Sequence, residues 1–212
     1  GELVRAMGYF THRFGKLDKV ESHNEYWLET EARLRTDFNL DGPKIDEIGW
    51  VKQKSRMKQI YVKAGIPVAK GRIVKSLRDA QKLISEVGYP VIANPDIGVG
   101  AANTYKISND LELNHFFDNP PAVDYIFEEF ITGEIFSFDG LTNQDGQVVF
   151  YTSHFYSHGI METVNDDTHI YYCSLRDIPD EIVEIGFRTV QAFNVRARFF
   201  HLEFFMTSDG RI

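Results

Sequence analysis

The chain has 212 residues, which is long enough to bury one large core or two small ones. Its 23 lysines and arginines stand against 31 aspartates and glutamates, giving a formal net charge of −8 without a basic stripe, so nucleic acid is not an expected partner. A single cysteine, Cys173, excludes an internal disulfide framework and fits a reducing compartment such as the cytoplasm, and no apolar run has the length of a membrane span.

The first third of the sequence predicts three helices and one strand. Their periodicities predict a helix over residues 1–14, a strand over 17–21, a helix over 25–38 and a charged helix over 46–63. The chain opens inside a helical pattern without an initiating methionine and stops at Ile212 just after a turn. Both ends therefore indicate a segment of a longer polypeptide.

The next part predicts a small layer of strands and one helix. Its predicted elements are a strand over residues 72–74, a helix over 77–87 with Ser76 as its N-cap, and strands over 89–93 and 104–107. A turn containing Gly98 and Gly100 joins the last two strands.

This glycine turn is the most informative local feature. Glycines let backbone N–H groups approach anionic oxygens, so a turn between two strands can act as a mobile lid over phosphates. A dinucleotide fingerprint needs a helix directly after the glycines, whereas residues 104–107 read as a strand, and the chain contains no Walker motif. A structural β-hairpin whose glycines serve only the turn is the alternative.

The second half is richer in strands. Its predicted elements are strands over residues 123–131, 135–141 and 148–155, a helix capped by Asp177 with Pro179 in its first turn, and a final strand over 199–205. In the final strand the apolar residues alternate, so Glu203 points away from the face that carries Phe200 and Phe204.

Three further features join the glycine turn in a fixed order: Lys54 on the charged helix, the acidic and aromatic run over residues 127–134, and the strand bearing Glu203. Together they resemble the ATP-grasp superfamily, which includes biotin carboxylase and the large chain of carbamoyl phosphate synthetase. The resemblance implies an α+β fold of two subdomains with a cleft between them, preceded by the tail of an α/β domain. The implied divisions are residues 1–45 for that tail, 46–65 for a linking helix, 66–125 for the small subdomain with its glycine lid, and 126–212 for the larger subdomain.

The resemblance also implies a set of nucleotide-binding residues. In the family's pattern Lys54 reaches the phosphates, Gly98 and Gly100 cover them, Glu128 accepts from the adenine amino group, the backbone of Glu129, Phe130 and Ile131 holds the ring edge, Glu134 contacts the ribose, and Glu203 ligates Mg²⁺. Mg²⁺ suits such a carboxylate because it prefers oxygen ligands. Each position also has a structural alternative: a solvent-facing helix lysine, solvated strand-end carboxylates, and for Glu203 an ion pair with Arg196 or Arg198.

The chain departs from the family at one position of the site. Asn94 stands where most members have a lysine, and an amide donates a hydrogen bond but brings no charge to a phosphate. The second metal-binding acid and the arginine that steadies the transferred phosphoryl group are expected beyond Ile212, so no catalytic residue is assigned.

The resemblance implies an ATP-dependent ligase that uses ATP and Mg²⁺ and acts on a small-molecule acceptor, within a longer parent polypeptide and with little activity in this segment alone. The sequence leaves open whether the protein forms a homodimer. The alternative function is a non-catalytic nucleotide-binding module. His154 and His158 lie four residues apart, which suits a metal pair on a helix, but this region reads as a strand.

Overall fold

The computed structural model describes residues 1–98, 103–159 and 169–212. Contacts within the chain divide it into two compact units, Gly1–Lys52 and Gln53–Ile212. Every helix in the described ranges is too short or too polar to cross a bilayer.

The first unit is helical. Its elements are α1 (Glu2–Phe14), a 3-10 turn (Glu25–Trp27), α2 (Leu28–Asp37) and α3 (Gly49–Lys52). Met7, Leu34 and Leu40 form its small core. Beside this core the guanidinium of Arg35 is 1% exposed and lies 2.7 Å from the carboxylate of Glu31.

The strand predicted over residues 17–21 is wrong, because this segment has no strand pairing. The carbonyl of Val20 accepts two hydrogen bonds from the guanidinium of Arg35, at 2.8 and 3.2 Å. A segment becomes a strand only when a neighbouring strand takes up its backbone groups, and here a side chain takes that place.

The second unit begins with a four-stranded sheet and its helices. These elements are α4 (Lys54–Lys63), β1 (Gly71–Val74), α5 (Leu77–Val87), β2 (Val91–Pro95), β3 (Tyr105–Ile107), α6 (Asp110–Asp118) and β4 (Tyr125–Glu129). The strand order is β1-β4-β2-β3, and every pairing is antiparallel. Leu83 of α5, Leu113 of α6 and Phe127 of β4 belong to one core cluster, which covers one face of this small sheet.

Local capping explains where the helices of the small sheet begin. Ser76 accepts the N–H of Asp79, which confirms it as the N-cap of α5. Helix α6 was not predicted, although Asn109 caps it through the N–H of Glu112, and the spacing of these residues is a capping box. The charged helix predicted over residues 46–63 is divided into α3 and α4, because Gln53 between them is extended and pairs with Ile97.

The remaining elements form a second antiparallel sheet with one long helix. They are β5 (Glu134–Thr142), β6 (Val148–Thr152), β7 (His154–Tyr156), β8 (Tyr172–Ser174), α7 (Asp180–Ala192) and β9 (Phe199–Met206). β6 and β7 pair in succession along one edge of β5, and β9 pairs along the other edge. The prediction of an α+β fold is therefore confirmed, and the strand pairing in both sheets is antiparallel.

The pleat of this large sheet separates its two faces. Phe138, Phe200 and Phe204 share a core with Ile182 of α7, as the alternation in the final strand predicted. A Cβ at Gly186 of α7 would lie 2.4 Å from the ring of Phe138, so the helix approaches the sheet at a distance that only glycine permits.

Two local predictions in this part are wrong. Asp177 does not cap α7, because Pro179 occupies the N-cap position and the helix begins at Asp180. The strand predicted over residues 148–155 is split into β6 and β7 at Ser153, a buried residue whose hydroxyl donates to the carbonyl of Ser137 at 2.5 Å.

Candidate functional site

Helix α4 is docked on the small sheet by one buried carboxylate. Asp96 is 2% exposed and follows the last residue of β2. It accepts hydrogen bonds from the Ser55 N–H at 2.8 Å, the Ser55 hydroxyl at 2.9 Å and the Gln53 amide at 2.7 Å. A carboxylate at the start of a helix satisfies free N–H groups and complements the helix dipole. Sequence reasoning missed this residue, because its partners lie more than 40 positions away.

The other end of α4 packs on the large sheet's core. Tyr61 belongs to the periphery of that core, and its ring meets Phe193 edge to face at 5.1 Å. Burial raises the pKa of Tyr61 to about 12, because the ionised phenolate would be poorly solvated there. Arg188 of α7 donates to the carbonyl of Gly65 at 2.9 Å. The helix is thus fixed to both sheets, and its lysines have defined places.

Lys54, the expected phosphate contact, lies in the first turn of α4. Its ammonium donates to the carbonyl of Pro95 at 3.0 Å, and its backbone N–H donates to the carbonyl of Asp96 at 2.9 Å. The side chain is half-buried against the end of β2, at Pro95, instead of extending from the helix into solvent.

Glu128 lies on the face of the small sheet opposite α5 and α6. Its cross-strand neighbours are Gly71 on β1 and Ile92 on β2. A Cβ at Gly71 would lie 2.7 Å from Cγ of Glu128. The glutamate side chain therefore occupies space that is free only because residue 71 is a glycine. One carboxylate oxygen is 2.7 Å from the ammonium of Lys58 and the other accepts from the Asn94 amide at 3.4 Å.

The neighbouring segment, Glu129 to Ile131, was expected to hold the adenine ring through its backbone. The Glu129 carboxylate accepts the Lys70 N–H at 2.6 Å, and the Glu129 N–H donates to the Lys70 carbonyl at 2.8 Å. The pleat therefore separates the two acids, since Glu128 points to Lys58 and Glu129 closes the chain beside β1. The ammonium of Lys106 lies 4.0 Å from the centre of the Phe130 ring, a cation–π contact on the same segment.

The glycine turn lies partly within the described residues. A Cβ at Gly98 would contact Cβ of Pro95 at 3.3 Å, so the turn passes close to the end of β2. Gly100 lies outside the described residues.

Glu203 lies on the face of the large sheet that points away from α7. It is opposite Ser137 across the pairing of β5 with β9. Its carboxylate is 41% exposed and lies 3.4 Å from Nε2 of His201. The alternative partner Arg196 donates instead to Asn194 at 2.7 Å. A single accessible carboxylate fits Mg²⁺ as one oxygen ligand, although no described part of the chain gathers three acidic, histidine or cysteine side chains into a metal site.

A polar cluster continues from Glu203 across the same face. Asp139 accepts from His201 at 2.5 Å, from Ser137, and from His154 at 3.0 Å. Hydrogen bonding to Asp139, then to Glu203, raises the pKa of His201 to about 10. Burial raises the pKa of Asp139, but the hydrogen bonds from His201, Ser137 and His154 outweigh it and hold that pKa below its usual value. His201 is therefore a cation at neutral pH.

The remaining candidates are not drawn into this cluster. Glu134 is exposed at the start of β5, opposite Met206, and alternation places it on the face that carries Phe136. His158 lies 3.0 Å from the hydroxyl of Ser157, so it does not share a partner with His154 in the described structure.

The two antiparallel sheets, joined by a helix that carries lysines to the first and packs on the second, match the arrangement that the ATP-grasp resemblance implies. Comparison with known proteins confirms the resemblance. No protein-family model matches the chain. The L-arginine-specific L-amino acid ligase of Bacillus subtilis is 27% identical over 212 residues, covering 94% of this chain and 50% of that protein. The carbamoyl phosphate synthase large chain of Agathobacter rectalis is 29% identical over 103 residues, covering 45% of this chain and 10% of that protein.

Solved structures give the same result for the fold. An L-amino acid ligase from Bacillus licheniformis aligns with a TM-score of 0.74 at 18% identity, covering 98% of this chain and 50% of that one. The biotin carboxylase domain of the Hydrogenobacter thermophilus 2-oxoglutarate carboxylase, in complex with MgADP, ADP and bicarbonate, aligns with a TM-score of 0.72 at 18% identity, covering 98% and 48%. The chain thus spans about half the length of the first of its curated relatives.

Proposed function

We propose that this chain is the nucleotide-binding part of an ATP-dependent ligase that activates a carboxylate and transfers it to an amine or another nucleophile. The observation that carries the proposal is the placement of Lys54 and Glu128. A buried carboxylate docks α4 so that Lys54 lies at the end of β2, and Glu128 lies on the same sheet over a glycine. The likeness to L-amino acid ligases, which spans nearly the whole chain, supports the same class of reaction.

The proposed reaction has two steps. A carboxylate oxygen of the first substrate attacks the γ-phosphorus of ATP, the bond to the β-phosphate oxygen breaks, and ADP leaves with an acyl phosphate remaining. The amine nitrogen of the second substrate then attacks the acyl carbon and loses a proton, and inorganic phosphate leaves. Such phosphoryl transfer depends mainly on positioning the two reactants and on neutralising the negative charge of the phosphates, and the protein provides both.

The described residues include groups that could bind the phosphates, the adenine ring and Mg²⁺. Lys54 offers a positive charge at the phosphates, and the segment that follows β4, with Phe130 and Ile131, would form an edge for the adenine ring. Mg²⁺, when bound, neutralises phosphate oxygens, and Glu203 would be one of its ligands.

A titration tests the binding part of the proposal. The chain should bind MgATP by isothermal titration calorimetry, and Glu128→Ala should weaken binding by about 10-fold or more, because a charged hydrogen-bond acceptor contributes about 1.5 to 3 kcal/mol. Glu184→Ala is the matched control, since its carboxylate is 76% exposed on α7, and it should leave the affinity unchanged. Equal affinity of the Glu128 and Glu184 variants would contradict the assigned site.

A second function is supported by one observation. Asn94 replaces a lysine of the family's pattern, which favours a nucleotide-binding module without catalysis. Phosphate release from MgATP by the longer parent polypeptide, measured with a panel of L-amino acids, separates the two, because this segment alone is expected to have little activity under either function. Release that depends on an amino acid supports the ligase, binding without release supports the module, and absence of binding contradicts both.

A further inference from the structure

Asn94 is built into a hydrogen-bonded chain across the small sheet. The hydroxyl of Thr104 donates to the Asn94 side-chain oxygen at 2.6 Å, which turns the amide nitrogen toward Glu128. Thr104 is 7% exposed, so this bond is largely withdrawn from water. A lysine at position 94 would remove the oxygen that Thr104 requires. The asparagine is therefore matched to its surroundings.

Lys58 completes the same chain from the opposite side. It follows Lys54 by one helical turn, so both side chains leave the same face of α4. Its ammonium lies 2.7 Å from one oxygen of Glu128, while Asn94 occupies the other oxygen. Its side chain is 12% exposed, and it also donates to the carbonyl of Ala69. The cation is thus held at the same carboxylate as Asn94, the residue that stands in place of the family's lysine.

We propose that Lys58 supplies the second positive charge of the nucleotide site, in place of the lysine that Asn94 replaces. This inference rests on the proposed function and names the residue that adapts the site to its altered sequence. The ligand class is the nucleoside diphosphate or triphosphate of the proposed function, whose phosphates carry the negative charge that an ammonium offsets.

Charge balance in the site argues for this role. Glu128 without a cation would repel an anionic ligand, whereas with Lys58 the pair is neutral and Lys54 remains as a net positive charge. A lysine at position 94 would bring a second ammonium to the carboxylate that Lys58 already neutralises. The positive charge that the family has at position 94 on β2 is therefore carried here by Lys58 on α4. The Asn94 amide remains on β2 as a neutral hydrogen-bond donor.

The test compares ligands that differ only in their phosphates. ADP and adenosine are titrated by calorimetry against the unsubstituted chain, Lys58→Met, and Lys63→Met, which removes an exposed lysine from the same helix. Lys58→Met should weaken ADP binding by roughly 10- to 100-fold, since a charge-assisted hydrogen bond is worth about 1.5 to 3 kcal/mol. Adenosine binding should change by less than about 2-fold, because adenosine has no charge to lose. Lys63→Met should change neither.

The double variant Lys58→Met with Asn94→Lys places a positive charge on β2 again. It should recover most of the ADP affinity. Its recovery would show that the lower ADP affinity of Lys58→Met comes from the lost charge and not from misfolding. Equal losses for ADP and adenosine, an unchanged ADP affinity, or no recovery in the double variant would each overturn the role of Lys58 alone. Failure of the unsubstituted chain to bind ADP would overturn the proposed function and this inference together.

Discussion

The docking of α4 by Asp96 gives the sharpest stability prediction. Asp96→Ala removes the acceptor of three hydrogen bonds in a place that is 2% exposed. One lost helix cap costs about 0.5 to 2 kcal/mol, and the half-buried Gln53 and Ser55 side-chain donors add to that, so we expect a loss of about 2 to 4 kcal/mol in the free energy of unfolding. For a chain of this length such a loss lowers Tm by roughly 5 to 15 °C.

Urea denaturation followed by circular dichroism measures this change, and Asp124→Ala is the control. The Asp124 carboxylate is 63% exposed and lies 3.9 Å from Lys75, so its removal should cost less than about 0.5 kcal/mol. Asp96→Asn keeps one acceptor oxygen and should fall between the two. A loss below about 0.5 kcal/mol for Asp96→Ala would refute the reasoning, because α4 would then be held by its apolar contacts alone.

Two further predictions concern the same helix and its partner sheet. Tyr61 has a folded-state pKa of about 12, so its contribution to stability is present below its ordinary pKa of 10 and is lost as the pH rises through 12. The free energy of unfolding of the unsubstituted chain, relative to that of Tyr61→Phe, should therefore fall by about 1.4 kcal/mol between pH 9 and pH 11. Urea denaturation at both pH values measures it, and the same difference between the two proteins at pH 9 and pH 11 would contradict the burial of the phenol. Gly71→Ala places a Cβ 2.7 Å from both Cγ of Glu128 and the carbonyl oxygen of Phe127 and should cost about 1 to 3 kcal/mol by urea denaturation. An unchanged midpoint would show that β1 can move away from β4.

Local sequence patterns correctly predicted features that depend only on residues close together in the chain, such as a helix cap or the alternation of a strand. The cap at Ser76 and the alternation around Phe200 and Phe204 both appear in the structure as the sequence indicated. The strand over residues 17–21 was wrong for the opposite reason, since its Val20 carbonyl bonds to Arg35 on a helix that follows. An extended pattern does not say which group will satisfy the backbone.

The candidate site divides in the same way. The order of Lys54, Glu128 and Glu203 along the chain was enough to indicate an ATP-grasp fold, and the comparisons confirm it. The sequence also showed that Asn94 stands in place of a lysine, but not how the site accommodates the change. Asp96 gave no local signal, because a buried cap on a distant helix differs in no way from a turn aspartate when read along the chain.

The sequence by itself determined most helices and strands, because hydrophobic period and capping depend on residues a few positions apart, and the order of its motifs along the chain carried the resemblance that implied the fold. Only the tertiary structure decided which of Glu128 and Glu129 faces the lysines of α4, and that Lys58 and Asn94 contact the same carboxylate of Glu128. These relations join residues 30 to 70 positions apart through strand register and helix docking, as the pairing of Lys58 with Glu128 illustrates. A shift of one residue in the register of β4 would exchange the two glutamates between the faces of the sheet.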